Sequence, residues 1–94
     1  MDSADERLEV TVHGIVQGVS FRAHTEAEAN RLGLTGQVWN NPGGTVGIIA
    51  EGPRNRLEDL LSWAEQGPDA ATVDKHDVHW ATPTGEFKNF VIRR

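Results

Sequence analysis

The chain has 94 residues, no cysteine and a formal net charge of -5, which fits one domain resting on apolar packing alone, with about 65% of its unfolded surface buried. Disulfide frameworks, thiol nucleophiles and thiolate metal sites are excluded, and the acidic balance argues against a nucleic-acid partner, which needs a basic face. No run reaches the roughly 20 apolar residues of a membrane span, and the acidic start Met1-Asp-Ser-Ala-Asp-Glu6 is unlike a basic leader; we expect a flexible tail over 1–6, a domain over 7–94 and a cytoplasmic location.

Leu8, Val10 and Val12 alternate with Glu9, Thr11 and His13, the pattern of a first strand with one buried face. The segment His13-Gly-Ile-Val-Gln-Gly-Val-Ser-Phe-Arg22 then turns on two glycines and enters a helix with an arginine in its first turn. Phe21, Thr25, Ala29 and Leu32 fall at helical spacing, and Gly33 closes that helix. Thr35 to Asn40 reads as a short strand, Asn41 to Gly44 as a turn, and Thr45 to Glu51 as the return strand with Val46, Ile48 and Ala50 on one face. Pro53 suits a helix start, Leu57, Leu60, Leu61 and Ala64 repeat at helical spacing, and Gly67-Pro68 ends the second helix. Val73 to Ala81 and Phe87 to Arg93 are two more extended runs, split by the turn Thr82-Pro-Thr-Gly85. The order β-α-β-β-α-β with an extra terminal strand predicts an α+β fold, a ferredoxin-like α/β sandwich with an antiparallel sheet and both helices on one face.

That topology places the third strand between the first and second, which run parallel and end on the same sheet edge. The loop ending in Arg22 and the strand ending in Asn40 therefore converge, two interstrand steps of about 4.8 Å apart. Acidic residues are absent from Val10 to Thr25 and from Ala29 to Ala50, so an anion can be received where these segments meet. Free backbone N–H groups from Ile15, Val16, Gln17, Gly18, Val19, Ser20 and Phe21, with the positive end of the helix dipole, suit phosphate oxygens. Arg22 adds a forked, permanently charged donor.

Asn40 can hold and aim a water, but an amide is no base at neutral pH. His13 and His24 aside, these segments offer no general acid and no set of metal ligands. An alkoxide leaving group, with a parent pKa of roughly 16, would need such help; a carboxylate, with a parent pKa of roughly 4, would not. Phosphoryl transfer through a loose transition state needs mainly positioning and charge stabilisation. The residues thus suit hydrolysis of a mixed carboxylic-phosphoric anhydride. His76 and His79, three apart in a strand, point to opposite faces and make a poor metal pair. His13 is expected outward, His24 packed against the sheet rather than bordering the site, and Trp39, Trp63 and Trp80 at core edges and as surface cover.

From about residue 7 to 94 the sequence resembles the acylphosphatases. The resemblance rests on Gly14-Ile-Val-Gln-Gly-Val-Ser-Phe-Arg22, Arg31-Leu-Gly-Leu-Thr-Gly36, Asn40 with Gly44-Thr-Val46, Glu51-Gly-Pro53, and Pro83-Thr-Gly-Glu-Phe87 with Phe90 and Ile92. It implies hydrolysis of acyl phosphates to a carboxylate and phosphate without metal or cofactor; a monomer is expected. The arginine matching Arg22 binds phosphate, the asparagine matching Asn40 orients the attacking water, and the substrate's own phosphate can accept the water's proton. Inorganic phosphate is expected as product and competitive inhibitor. Gln37, Trp39, Ala23 and His24 depart from the residues usual in the family, which bears on rate and substrate preference. The alternative is a non-catalytic ferredoxin-like module that binds an anion or regulates a partner, which turnover of benzoyl phosphate distinguishes. An RNA-recognition domain shares the element order, but Thr45 to Glu51 carries no aromatic or basic residue.

Overall fold

The computed structural model describes residues 5–93. Strands β1 (Asp5–Ile15), β2 (Thr35–Asn40), β3 (Val46–Pro53), β4 (Thr72–Ala81) and β5 (Phe90–Ile92) form one sheet in the order β4-β1-β3-β2-β5, with helices α1 (Phe21–Arg31) and α2 (Arg54–Gln66) between them. β1 and β2 each pair antiparallel with β3, so they run parallel to one another and finish on the same edge.

The alternation in β1 is realised: Leu8, Val10 and Val12 are buried while Glu9, Thr11 and His13 are only partly covered. Val46, Ile48 and Ala50 of β3 and Val38 of β2 join them, and Phe21 and Ala29 of α1 and Leu57, Leu60 and Ala64 of α2 complete one cluster. Both helices therefore cover the same sheet face, and burial of these apolar side chains drives the fold. α1 is short and buries only Phe21, Thr25 and Ala29; the buried Thr25 hydroxyl donates to the Phe21 carbonyl at 2.8 Å. Among the described residues no helix is long and apolar enough to cross a membrane.

Three expectations need correction. Of the tail expected over 1–6, residues 1–4 lie outside the described residues, but Asp5 and Glu6 are strand, paired with Pro53 and Gly52, and Glu6 accepts a 2.9 Å bond from Arg54. The sheet is mixed, because β5 runs parallel to β2. The terminal run expected from Phe87 narrows to Phe90–Ile92. The segment before it bonds instead to the Glu51 carboxylate, which accepts from Thr84 N–H at 2.9 Å, Gly85 N–H at 3.0 Å and Arg7 at 2.8 Å.

Candidate active site

β1 is bent before it reaches its loop. Pairing with β4 shifts between His13 and Gly14, and a Cβ on Gly14 would collide with the Thr72 carbonyl oxygen, so only glycine allows this bulge to redirect the chain. Val16 is then buried and anchors the loop. Gly18 (φ 76) and Ser20 (φ 63) are both left-handed, which curls successive N–H groups toward a common point, an anion-binding concavity. Among the described residues the backbone N–H groups from Val16 to Arg22 donate to no other part of the backbone. α1 starts here with no acidic residue in its first turn and no bond from the Ser20 side chain, so its positive end is left for a ligand.

Arg22 is half-buried and takes part in none of the ion pairs found among the described residues. A cation in the first turn of a helix opposes the dipole, so an unpaired arginine there calls for an anion. It opens on a cavity of about 370 Å³ whose walls are Val16, Gly18, Ser20, Phe21, Arg22 and Ala23 from the loop and helix start, Asn40 from the end of β2, and Ile92 from β5. Among the described residues no carboxylate lines it. The two acid-free segments therefore meet at one place, as the topology requires.

A larger cavity of about 680 Å³ shares Ser20 and also takes in His24, Glu28, Arg31, Trp63 and Asp69. Its cation is spent: Arg31 bonds both oxygens of Glu28 and holds that carboxyl below its ordinary range.

Of the residues expected around the phosphate, Val16, Gly18, Ser20, Phe21 and Arg22 line the cavity beside Asn40, while Ile15, Gln17 and Val19 do not. Ile15 is exposed at the strand end, Val19 faces the larger cavity, and the Gln17 side chain turns toward the β2–β3 turn. His24 is exposed on α1 and does not pack on the sheet. His13 faces outward and meets Asp77 at 2.8 Å, and His76 meets Glu65 at 3.0 Å while His79 is exposed. Trp63 tilts against Phe21 with ring centroids 5.5 Å apart, and Trp80 lies under the Arg54 guanidinium at 3.6 Å. Sequence reasoning missed Ile92 as a wall; the signal available was its extra strand, which pairs Val38 with Ile92 close to Asn40.

Comparison with known proteins gives one family. The acylphosphatase family model matches residues 8–92. An acylphosphatase of Pelotomaculum thermopropionicum is 46% identical over 86 residues, covering 92% of this chain and 94% of that protein. The crystal structure of acylphosphatase from Bacillus subtilis superposes with a TM-score of 0.91 at 31% identity, covering 95% of this chain and 99% of the other. An acylphosphatase from Coxiella burnetii gives a TM-score of 0.88 at 34% identity, over 95% and 93% of the two chains. With a family model matching residues 8–92 and near-complete coverage in both sequence and structure, this chain belongs to the acylphosphatase family.

Proposed function

We propose that this acylphosphatase binds the phosphate of an acyl phosphate in the loop between Val16 and Arg22 and uses Asn40 to aim the attacking water. The observation that carries this reading is the convergence of an unpaired arginine, free loop N–H groups and the Asn40 end of β2 on one cavity without a carboxylate. Arg22 and the loop neutralise the charge spread over the equatorial oxygens and hold the phosphoryl group in place, which is the main demand of a loose phosphoryl transfer. The water oxygen forms a bond to phosphorus while the bond from phosphorus to the acyl oxygen breaks, and that electron pair leaves on the carboxylate. One water proton passes to a phosphate oxygen, so no protein base is required.

The site is complete within one chain, which supports action as a monomer. The absence of cysteine suits a cytoplasmic enzyme, where thiols would have stayed reduced in any case. The test is turnover of benzoyl phosphate by purified protein, with and without a chelator. Hydrolysis above background, unchanged by chelator and competitively inhibited by inorganic phosphate, is expected. Folded protein without hydrolysis would favour the anion-binding module instead, and loss of activity with chelator would require a metal in the mechanism.

A further inference from the structure

Asn40 stands at the very end of β2, paired with Val46, and the chain beyond it turns through Gly43 (φ 96) and Gly44 (φ 104). β3 lies between β2 and β1, so the sheet links Asn40 to the anion loop only through two interstrand steps. An amide that aims a water needs a tighter constraint, since a misplacement of about 1 Å can cost about 10²-fold in rate.

Two side chains supply that constraint from opposite directions. Gln17, in the anion loop between the cavity walls Val16 and Gly18, donates from Nε2 to the carbonyls of Asn41 and Thr45, each at 2.8 Å. Both protons of its amide are thereby committed to the two ends of the turn that follows Asn40. Trp39 lies on the helix-free face with Glu9, Thr11, Ile49 and His79, and its indole Nε1 donates to Asn41 Oδ1 at 2.8 Å. Asn41 passes the constraint on, donating from its amide to Thr45 Oγ1 at 3.1 Å and from its backbone N–H to the Thr45 carbonyl at 2.8 Å. The indole itself is held: the Arg93 guanidinium stacks over it at 4.4 Å, and it lies across Gly47, where any Cβ would strike the ring.

We infer that Gln17 and Trp39 are positioning residues that fix the turn after Asn40 against the anion loop and so set the aim of its carboxamide. This rests on the reading of Asn40 as the group that orients the water. Gln17 acts from the loop side and Trp39 from the outer face, and neither needs to touch substrate. Trp39, which departs from the polar or basic residue usual before this asparagine, is thus a support and leaves the cavity open.

The test compares Gln17→Met, Trp39→Phe and Asn40→Ala, alone and with each of the first two combined with the third, by kcat and KM on benzoyl phosphate and by the inhibition constant of inorganic phosphate. Gln17→Met is expected to lower kcat about tenfold or more and Trp39→Phe about threefold, with phosphate inhibition within about twofold of the parent enzyme. In the Asn40→Ala background neither change should lower kcat further, because the group they aim is gone; a merely structural role would give the same loss again. Unchanged kcat in the single variants, a repeated loss in the double variants, or weakening of phosphate inhibition in step with kcat would each overturn the inference. Wild-type kcat in Asn40→Ala would instead overturn the reading of Asn40. Trp39→Phe keeps the ring over Gly47 and decides by the same comparison should Gln17→Met not fold.

Discussion

Arg7 and Arg22 sit at opposite ends of the same sheet and have opposite surroundings. Arg7 bonds Glu9 and Glu51 at 2.8 Å each and reaches Thr84 at 3.3 Å, with its own pKa raised, because these carboxylate bonds outweigh the opposing effect of its burial. Arg22 has none of these partners and faces a cavity that no carboxylate of the described residues lines. The first end is closed on itself, with Arg7 Nε and Nη1 each meeting a carboxylate of the chain. The second leaves a charge and several N–H groups unspent, which costs stability unless a ligand supplies the missing acceptors. The same residue type is thus paired within the chain at one end and, in the proposed site, left for substrate at the other, and what separates them is whether the fold has already satisfied it.

Removing the unspent charge should break this contrast most visibly. Arg22→Ala is expected to lower kcat/KM by at least ~10²-fold, as loss of a transition-state donor does, while thermal stability in phosphate-free buffer stays level or rises. The sign follows from the helix: a cation in the first turn opposes the dipole, an effect of about 0.3–1 kcal/mol. The stabilisation that inorganic phosphate confers on the parent enzyme should largely disappear. Thermal melts with and without phosphate, beside steady-state kinetics, check both halves; a large loss of stability in the variant would mean that Arg22 is also holding the fold.

At the closed end the expectation is reversed. Burial pushes the Glu51 carboxyl up, but bonds from Thr84 N–H, Arg7, Gly85 N–H and the Thr84 hydroxyl pull it further down, so it lies below the ordinary carboxylate value. Glu51→Gln puts an N–H group against at least one of these donors and is expected to cost about 2–3 kcal/mol, with kcat of the folded protein nearly unchanged. Because the folded pKa is depressed, the contribution of Glu51 is complete above the unfolded value of about 4.3 and is lost as pH falls through the folded value. The stability gap between parent and variant should stay constant from neutral pH to about 5 and narrow below about 4.3. Denaturant titrations across that range measure it, and a gap independent of pH would detach Glu51 from acid unfolding.

The two ends were unequally legible in the sequence. Topology placed Arg22 and Asn40 on one edge because strand and helix periods are read residue by residue, and the gaps in acidic residues marked the same edge. The Glu51 latch leaves no such trace: its chain partners beyond Arg7 are the Thr84 and Gly85 N–H groups and the Thr84 hydroxyl, in a turn without period. Asp5 and Glu6 were lost to the tail because charged residues at a strand end hide the alternation. The Gln17 tie was hidden for the same reason as the latch, since the carbonyls of Asn41 and Thr45 carry no signature of residue type. His24, expected against the sheet, is exposed because Phe21, Thr25 and Ala29 already fill the buried face of α1.

The smallest effects expected lie in the curl of the loop, where two left-handed residues of different kinds allow a sharper comparison within the open end itself. Gly18 has φ 76, and a Cβ there meets nothing within 4 Å, so Gly18→Ala costs only the left-handed backbone, about 1–2 kcal/mol. Ser20, at φ 63, already carries that cost, and Ser20→Gly relieves it while adding about 0.5–1 kcal/mol of chain entropy to the unfolded state. The net expectation is a slightly more stable variant. Both substitutions keep the loop N–H groups, so if the curl is dictated by the loop rather than by the ligand, Ser20→Gly should retain phosphate inhibition while Gly18→Ala weakens it. Opposite stability changes from the two variants, measured by denaturation, would locate the strain in the backbone of the anion loop. Changes of the same sign would show that the side chain of Ser20, and not its φ, governs the stability of this end.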